Sequence, residues 1–118
     1  MEVSGEVPPV HAHALAILAE TLLSREQPAE ALAPAAEAVR VLESLGGIEE
    51  GEALVRLVHA EALAATGKVD EARAGIARAR DRLLERAARI SDPKMRTSFL
   101  HNVAENVRTV ARAKEWAG

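Results

Sequence analysis

Apolar residues recur three and four positions apart along nearly the whole chain, the spacing of one face of an α-helix. The rhythm breaks only at residues that stop or start helices, which predicts about six of them. The first, about 9 to 24, carries Leu15, Leu18 and Leu22 on one stripe with Ile17 and Leu23 elsewhere. It has no clear polar face and therefore expects neighbours on more than one side. Arg25-Glu26-Gln27 turns the chain, and Pro28 suits the first position of a helix because its missing N–H would have had no partner there. This second helix, about 28 to 45, holds Pro34 in its interior, where a lost backbone bond and crowding of the Glu30 carbonyl predict a kink; Gly46-Gly47 ends it. A third helix, about 49 to 66, carries Leu54, Leu57, Val58 and Leu63, with Glu52 and Arg56 ordered for an i,i+4 pair. Gly67 ends it, since glycine enters the left-handed region without steric penalty. Asp70 and Glu71 then occupy the first turn of a fourth helix, about 69 to 90, where their charge complements the free N–H groups. Ser91-Asp92-Pro93 joins a side-chain cap to a proline start. It opens a short fifth helix through Met95, Phe99 and Leu100 to about 102, and the last runs from Val103 to near Trp116. Residues 1–7, ahead of Pro8-Pro9, read as an extended lead-in.

The pattern also repeats. Ala19, Glu20, Leu22, Glu30, Ala31, Ala35 and Ala38 recur 41 positions later as Ala60, Glu61, Leu63, Glu71, Ala72, Ile76 and Ala79. Such an order of small and large residues around a turn resembles the tetratricopeptide repeat (TPR), a helix-turn-helix with small residues at three fixed positions, here Ala19, Ala31 and Ala38 and then Ala60, Ala72 and Ala79. The period exceeds the usual length of about 34 residues, Leu and Ile stand at the aromatic positions, and the terminal Pro is missing. The longer period resembles repeats of the kinesin light chain type. The resemblance covers about residues 8 to 90. It implies an all-α chain of antiparallel helical hairpins stacked as a short right-handed solenoid: one repeat over 8–47, a second over 48–90, and a partial repeat or cap over 91–118, all in a single domain. The tail from Ser98 through Trp116 resembles the ending of repeat regions in large bacterial signalling proteins.

Composition narrows the picture further. With 118 residues the chain suits one modest core, and its Ala- and Leu-rich, aromatic-poor content favours helix throughout. It has no cysteine, which removes disulfides and thiol chemistry. No apolar run approaches membrane-spanning length and no export signal is visible, so a cytoplasmic module is expected. Net charge is −3 but uneven: residues 1–51 hold nine acids against two bases (−7), residues 52–118 nine against thirteen (+4). Such a dipole can steer a charged partner or favour self-association.

No nucleophile motif, phosphate loop or metal-ligand spacing is present, so neither catalysis nor a cofactor is expected. His11 and His13 point to different sides of a helix, a turn separates His101 from Glu105, and His59 stands where the first copy has Leu18. Arg78, Arg82, Arg86 and Arg89 share a stripe that could meet nucleic acid. Asp81 and Glu85 interrupt it, Glu85 is placed to pair with Arg89, and no aromatic interleaves, so a salt-bridged outer face is the better reading. In the resembled family the first helix of each repeat lines a concave face. The resemblance therefore assigns partner contacts to His13, Ala16, Glu20 and Leu23, then Leu54, Leu57, Glu61 and Ala64, with Asn102 continuing a Glu20–Glu61 ladder. The expected role is a non-catalytic scaffold for a basic or amphipathic peptide or helix, with Leu23, Leu54 and Leu57 as apolar contacts. Glutamate at the ladder positions argues against the carboxylate clamp of chaperone-binding members. The alternative role is structural: homodimerisation driven by the apolar first helix and the charge dipole, or a spacer module of a larger bacterial signalling protein.

Overall fold

A computed structural model describes residues 8–46 and 51–117. Six α-helices follow one another: α1 (Pro8–Ser24), α2 (Pro28–Ser44), α3 (Glu52–Ala65), α4 (Val69–Ala88), α5 (Pro93–His101) and α6 (Ala104–Ala117). No strand occurs among the described residues. The lead-in expected over 1–7, the Gly47 half of the stop after α2 and the expected start of α3 at 49–50 lie outside the described residues.

Each boundary has a local cause. Asp92 accepts a hydrogen bond from the Lys94 N–H at 2.9 Å, with Pro93 behind it, so α5 starts with both predicted devices. Gly67 takes φ +87° while the Lys68 N–H donates to the Leu63 carbonyl at 2.8 Å, reversing the chain after α3. The first copy makes the same turn without glycine: Glu26 takes φ 60° and the Gln27 N–H donates to the Leu22 carbonyl at 2.9 Å. Those residues stand 41 positions before their counterparts, so the repeat extends to the turn hydrogen bond even where the side chain differs. α2 is assigned as one continuous helix through Pro34, whose neighbours Ala31, Ala35 and Ala38 are fully buried.

α3 is the central helix and packs against α1, α2, α4 and α6. Its buried residues Leu54, Val55, Leu57 and Val58 cover more than one face, as four neighbours require. Small residues set the spacing. Ala19, Ala31, Ala38, Ala60, Ala72 and Ala79 are all buried, so the repeated alanines let helix backbones approach closely rather than display surface. One core cluster joins Ala16, Ala19, Ala35, Leu42, Val55 and Val58 from α1, α2 and α3. A second joins Leu57, Ala60, Ile76 and Ala113, with Trp116 packed at its edge, and ties α6 to α3 and α4. Of the two aromatics expected to plug the tail, only Trp116 meets this core; Phe99 instead lies 5.6 Å beneath the Arg86 guanidinium.

α5 buries none of its residues and is held by polar contacts. Arg96 donates to the Ile90 carbonyl at 2.7 and 3.0 Å, and the buried Asn106 amide donates to the Phe99 carbonyl at 2.9 Å. α1 leaves Val10, Ile17 and Leu18 exposed, the sequel of its lack of a polar face. No helix among the described residues is long and apolar enough to cross a membrane.

Gly75 sits within α4 opposite Ala60, where a tight glycine contact would be the usual inference. A Cβ added there meets the Ala60 Cβ at 3.9 Å, ordinary van der Waals distance. Gly75→Ala is therefore expected to raise stability by about 0.5–1 kcal/mol through the helix-propensity difference. A urea midpoint unchanged or lowered would show that the site needs glycine for another reason.

Candidate functional site

The C-terminal halves of α1 and α3 and the face of α6 turned toward them enclose an open cavity of about 830 Å³. α3 contributes Glu61, Ala64 and Ala65; α1 contributes Glu20, Thr21, Leu23 and Ser24; α6 contributes Arg108, Arg112 and Trp116. Small side chains on α3 and larger ones on its neighbours leave the space open.

A chain of alternating charges crosses this cavity. Arg108 donates through Nη1 to Glu20 Oε2 at 3.0 Å and through Nη2 to Glu61 Oε1 at 2.7 Å, bridging two helices with one guanidinium. Arg112 donates through Nε to Glu61 Oε2 at 3.2 Å and through Nη1 to Glu115 Oε1 at 3.1 Å. Both Glu61 oxygens are thus engaged, and that side chain is the most buried of the five, at 13% exposure. Hydrogen bonds from Arg112 to Glu61 and Glu115 raise its pKa further, so it stays charged at any working pH.

The residues expected on an exposed concave face divide sharply. Glu20, Leu23, Glu61 and Ala64 line the cavity together. Ala16, Leu54 and Leu57 are buried in the interior, so they hold helices together and have no surface to offer a partner. The expectation of an open face at Leu54 and Leu57 fails because the faces of α3 that carry them pack against neighbouring helices, which periodicity in one helix does not reveal. His13 is exposed on α1 near the Gly51 turn, where an added Cβ would lie 3.0 Å from its Nδ1, and it is not part of the cavity. Asn102 caps the C-terminus of α5 and donates to Ser98 Oγ at 2.9 Å, away from the ladder. The third rung is Arg108. The 41-residue register misses it because α5 is inserted ahead of the helix that packs on α3. The signal was present in the i,i+4 arginines of α6, Arg108 and Arg112, facing the two repeated glutamates.

The ladder's charge is therefore internal. Glu20 and Glu61 do not present two bare carboxylates; Arg108 and Arg112 neutralise most of their field. Three of the four arginines of the α4 stripe are likewise engaged: Arg78 reaches Glu43 at 3.4 Å, and Arg86 covers Phe99. Arg82 binds both oxygens of Glu52 at 2.7 and 3.1 Å. Glu85 pairs with Arg82 at 3.2 Å, not with Arg89 as its spacing predicts, because Arg82 already leans toward α3.

A smaller cavity of about 280 Å³ lies between α2, α3 and α4, lined by Glu43, Arg56, His59, Glu71 and Arg78 among others. Burial pushes the His59 pKa down, against the pull of Glu71 and Glu43, so the imidazole is neutral and behaves as a packed residue. Among the described residues no group of three or more His, Asp or Glu side chains is placed to hold a metal ion.

No family model matches the chain, and neither a curated protein nor a solved structure matches it.

Proposed function

We propose that the chain is a short helical-repeat module of the tetratricopeptide type whose role is to bind a segment of another protein in the groove between α1, α3 and α6. In this reading α1–α2 and α3–α4 are stacked hairpins of a right-handed solenoid, and α6 packs where the first helix of a third repeat would stand. The 41-residue recurrence of buried alanines supports the repeat reading. The observation that carries the function is the cavity itself, about 830 Å³, open to solvent, with Leu23 and Trp116 as apolar walls and a small-residue floor. That is the size and lining of a pocket that takes a side chain and its flanks from a partner. Nothing in the groove supplies a nucleophile with its base, so binding is the chemistry the geometry favours.

Panning a displayed peptide library against the full chain tests this, with Ala64→Trp as the groove-filled comparison. Selected peptides are expected to bind the natural chain and to lose roughly tenfold or more on Ala64→Trp, the loss typical of blocking an anchoring pocket. Binders indifferent to that substitution would move the interaction elsewhere on the surface.

A further inference from the structure

The polar side of the groove has a definite sign. Glu20, Arg108, Glu61, Arg112 and Glu115 form one alternating chain that begins and ends on a carboxylate, three acids holding two bases. In its interior, Arg108 uses both Nη atoms on two glutamates and Glu61 uses both oxygens. The two ends differ in place. Glu115 is more than half exposed and does not line the cavity, whereas Glu20 does. Only Oε2 of Glu20 is engaged by Arg108, and among the described residues Oε1 has no hydrogen-bond partner. An acceptor of excess negative charge therefore opens into the same space as Leu23, Ala64, Ala65 and Trp116. The cavity also lies at the C-terminal ends of α1 and α3, whose macrodipoles reinforce the preference for a cation.

Resting on the reading of this groove as a protein-binding site, we infer that it selects a partner segment bearing a lysine or arginine next to an apolar residue. The partner's cationic group would sit at Glu20 Oε1. Its aliphatic stem and the apolar neighbour would cover Leu23, Ala64 and the Trp116 ring. A partner carboxylate would meet the excess negative charge of the three acids, and drawing either arginine toward it would weaken the contacts that hold Glu61, the least exposed of those three. The preference thus comes from one open oxygen rather than from two bare glutamates.

Trp116 is the only tryptophan in the chain, so its emission reports the groove directly. The probes are three capped, tryptophan-free alanine-based helical peptides with leucine at one position and lysine, norleucine or glutamate four residues later. The lysine peptide is expected to shift Trp116 emission saturably, to bind at least several-fold more tightly than the other two, and to weaken as salt rises. Glu20→Gln should remove that advantage, while Glu37→Gln, on the far helix α2, should not. Equal affinity for the lysine and norleucine peptides, or tighter binding of the glutamate peptide, would overturn the charge selection while leaving the groove as a binding site. An advantage that survives Glu20→Gln would equally overturn the role of Glu20. No saturable change in Trp116 with any of the three would overturn both the inference and the groove reading.

Discussion

Glu52→Ala is expected to cost about 3 kcal/mol of folding stability, the lower end of the range for breaking a buried ion pair from one side. Glu52 opens α3 with only 1% of its surface exposed. Its carboxylate accepts from Arg56 Nε at 3.0 Å one turn along the same helix and from Arg82 Nε and Nη2 at 2.7 and 3.1 Å across the interface with α4. Removing it leaves Arg56, whose side chain is 12% exposed, without its principal counter-charge, while Arg82, at 34%, can partly rehydrate. That partial escape is why the lower end applies. The acid limb carries a second signature. Burial alone would raise the Glu52 pKa, but the hydrogen bonds and charges of Arg82 and Arg56 outweigh it and hold it below the ordinary 4.5. The folded state therefore binds the proton less readily than the unfolded state. The contribution is complete above about pH 4.5 and disappears as pH falls through the lower folded-state value. Urea unfolding of the natural chain and of Glu52→Gln across pH 3 to 7 would show the two curves converging at low pH. A cost below about 1 kcal/mol at neutral pH would mean that the triad is dispensable.

The Glu52 triad also marks what the sequence made legible. Its i,i+4 half, Glu52 to Arg56, follows from spacing alone, because both residues lie on one helix. Its larger half, Arg82, lies 30 residues away and needs the packing of α4 on α3 to be seen. The same division runs through the molecule. Helix starts and stops were readable to within a few residues wherever a proline, glycine or capping aspartate stood at the boundary, since those effects are local. The small-residue positions were readable as packing sites because close helix approach tolerates little else. Which face of α3 stays open was not readable. Leu54 and Leu57 were expected in the groove and are buried, because exposure depends on how many neighbours a helix acquires. Glu20 and Glu61 were expected to act on a partner, and they first act on Arg108 and Arg112. The tail broke the repeat register, so its contribution could not be found by counting; Asn102 was expected where Arg108 stands.

Arg108 changes what the groove is. Two glutamates copied 41 residues apart would suit any basic ligand by simple attraction. With one guanidinium tied between them, the cavity has a preformed charged wall on which Glu20 Oε1 stays open, and in the proposed reading selectivity depends on geometry as well as on sign. It also makes the groove conditional on α6, which carries both arginines and Trp116. Whatever holds α6 against α3 and α4 determines whether the groove exists.

Leu57 is the residue on which that attachment most depends. It is fully buried, packs with Ala60, Ile76 and Ala113, and lies on the same helix as Glu61 one turn away. Leu57→Ala is expected to cost about 3 kcal/mol, the lost transfer energy plus a cavity that the rigid helix backbones around it cannot close. Leu18→Ala removes the same atoms from an exposed position and should fall within about 0.5 kcal/mol of the natural chain. The contrast excludes a general effect of exchanging leucine for alanine. Because Ala113 and Trp116 are on the far side of the Leu57 contact, the substitution should also loosen α6 before the chain unfolds as a whole. Trp116 emission is then expected to move to longer wavelength at urea concentrations where far-ultraviolet circular dichroism is still native. Coincident transitions by both probes would mean that α6 leaves only when α3 and α4 unfold, so that the groove is as stable as the core itself.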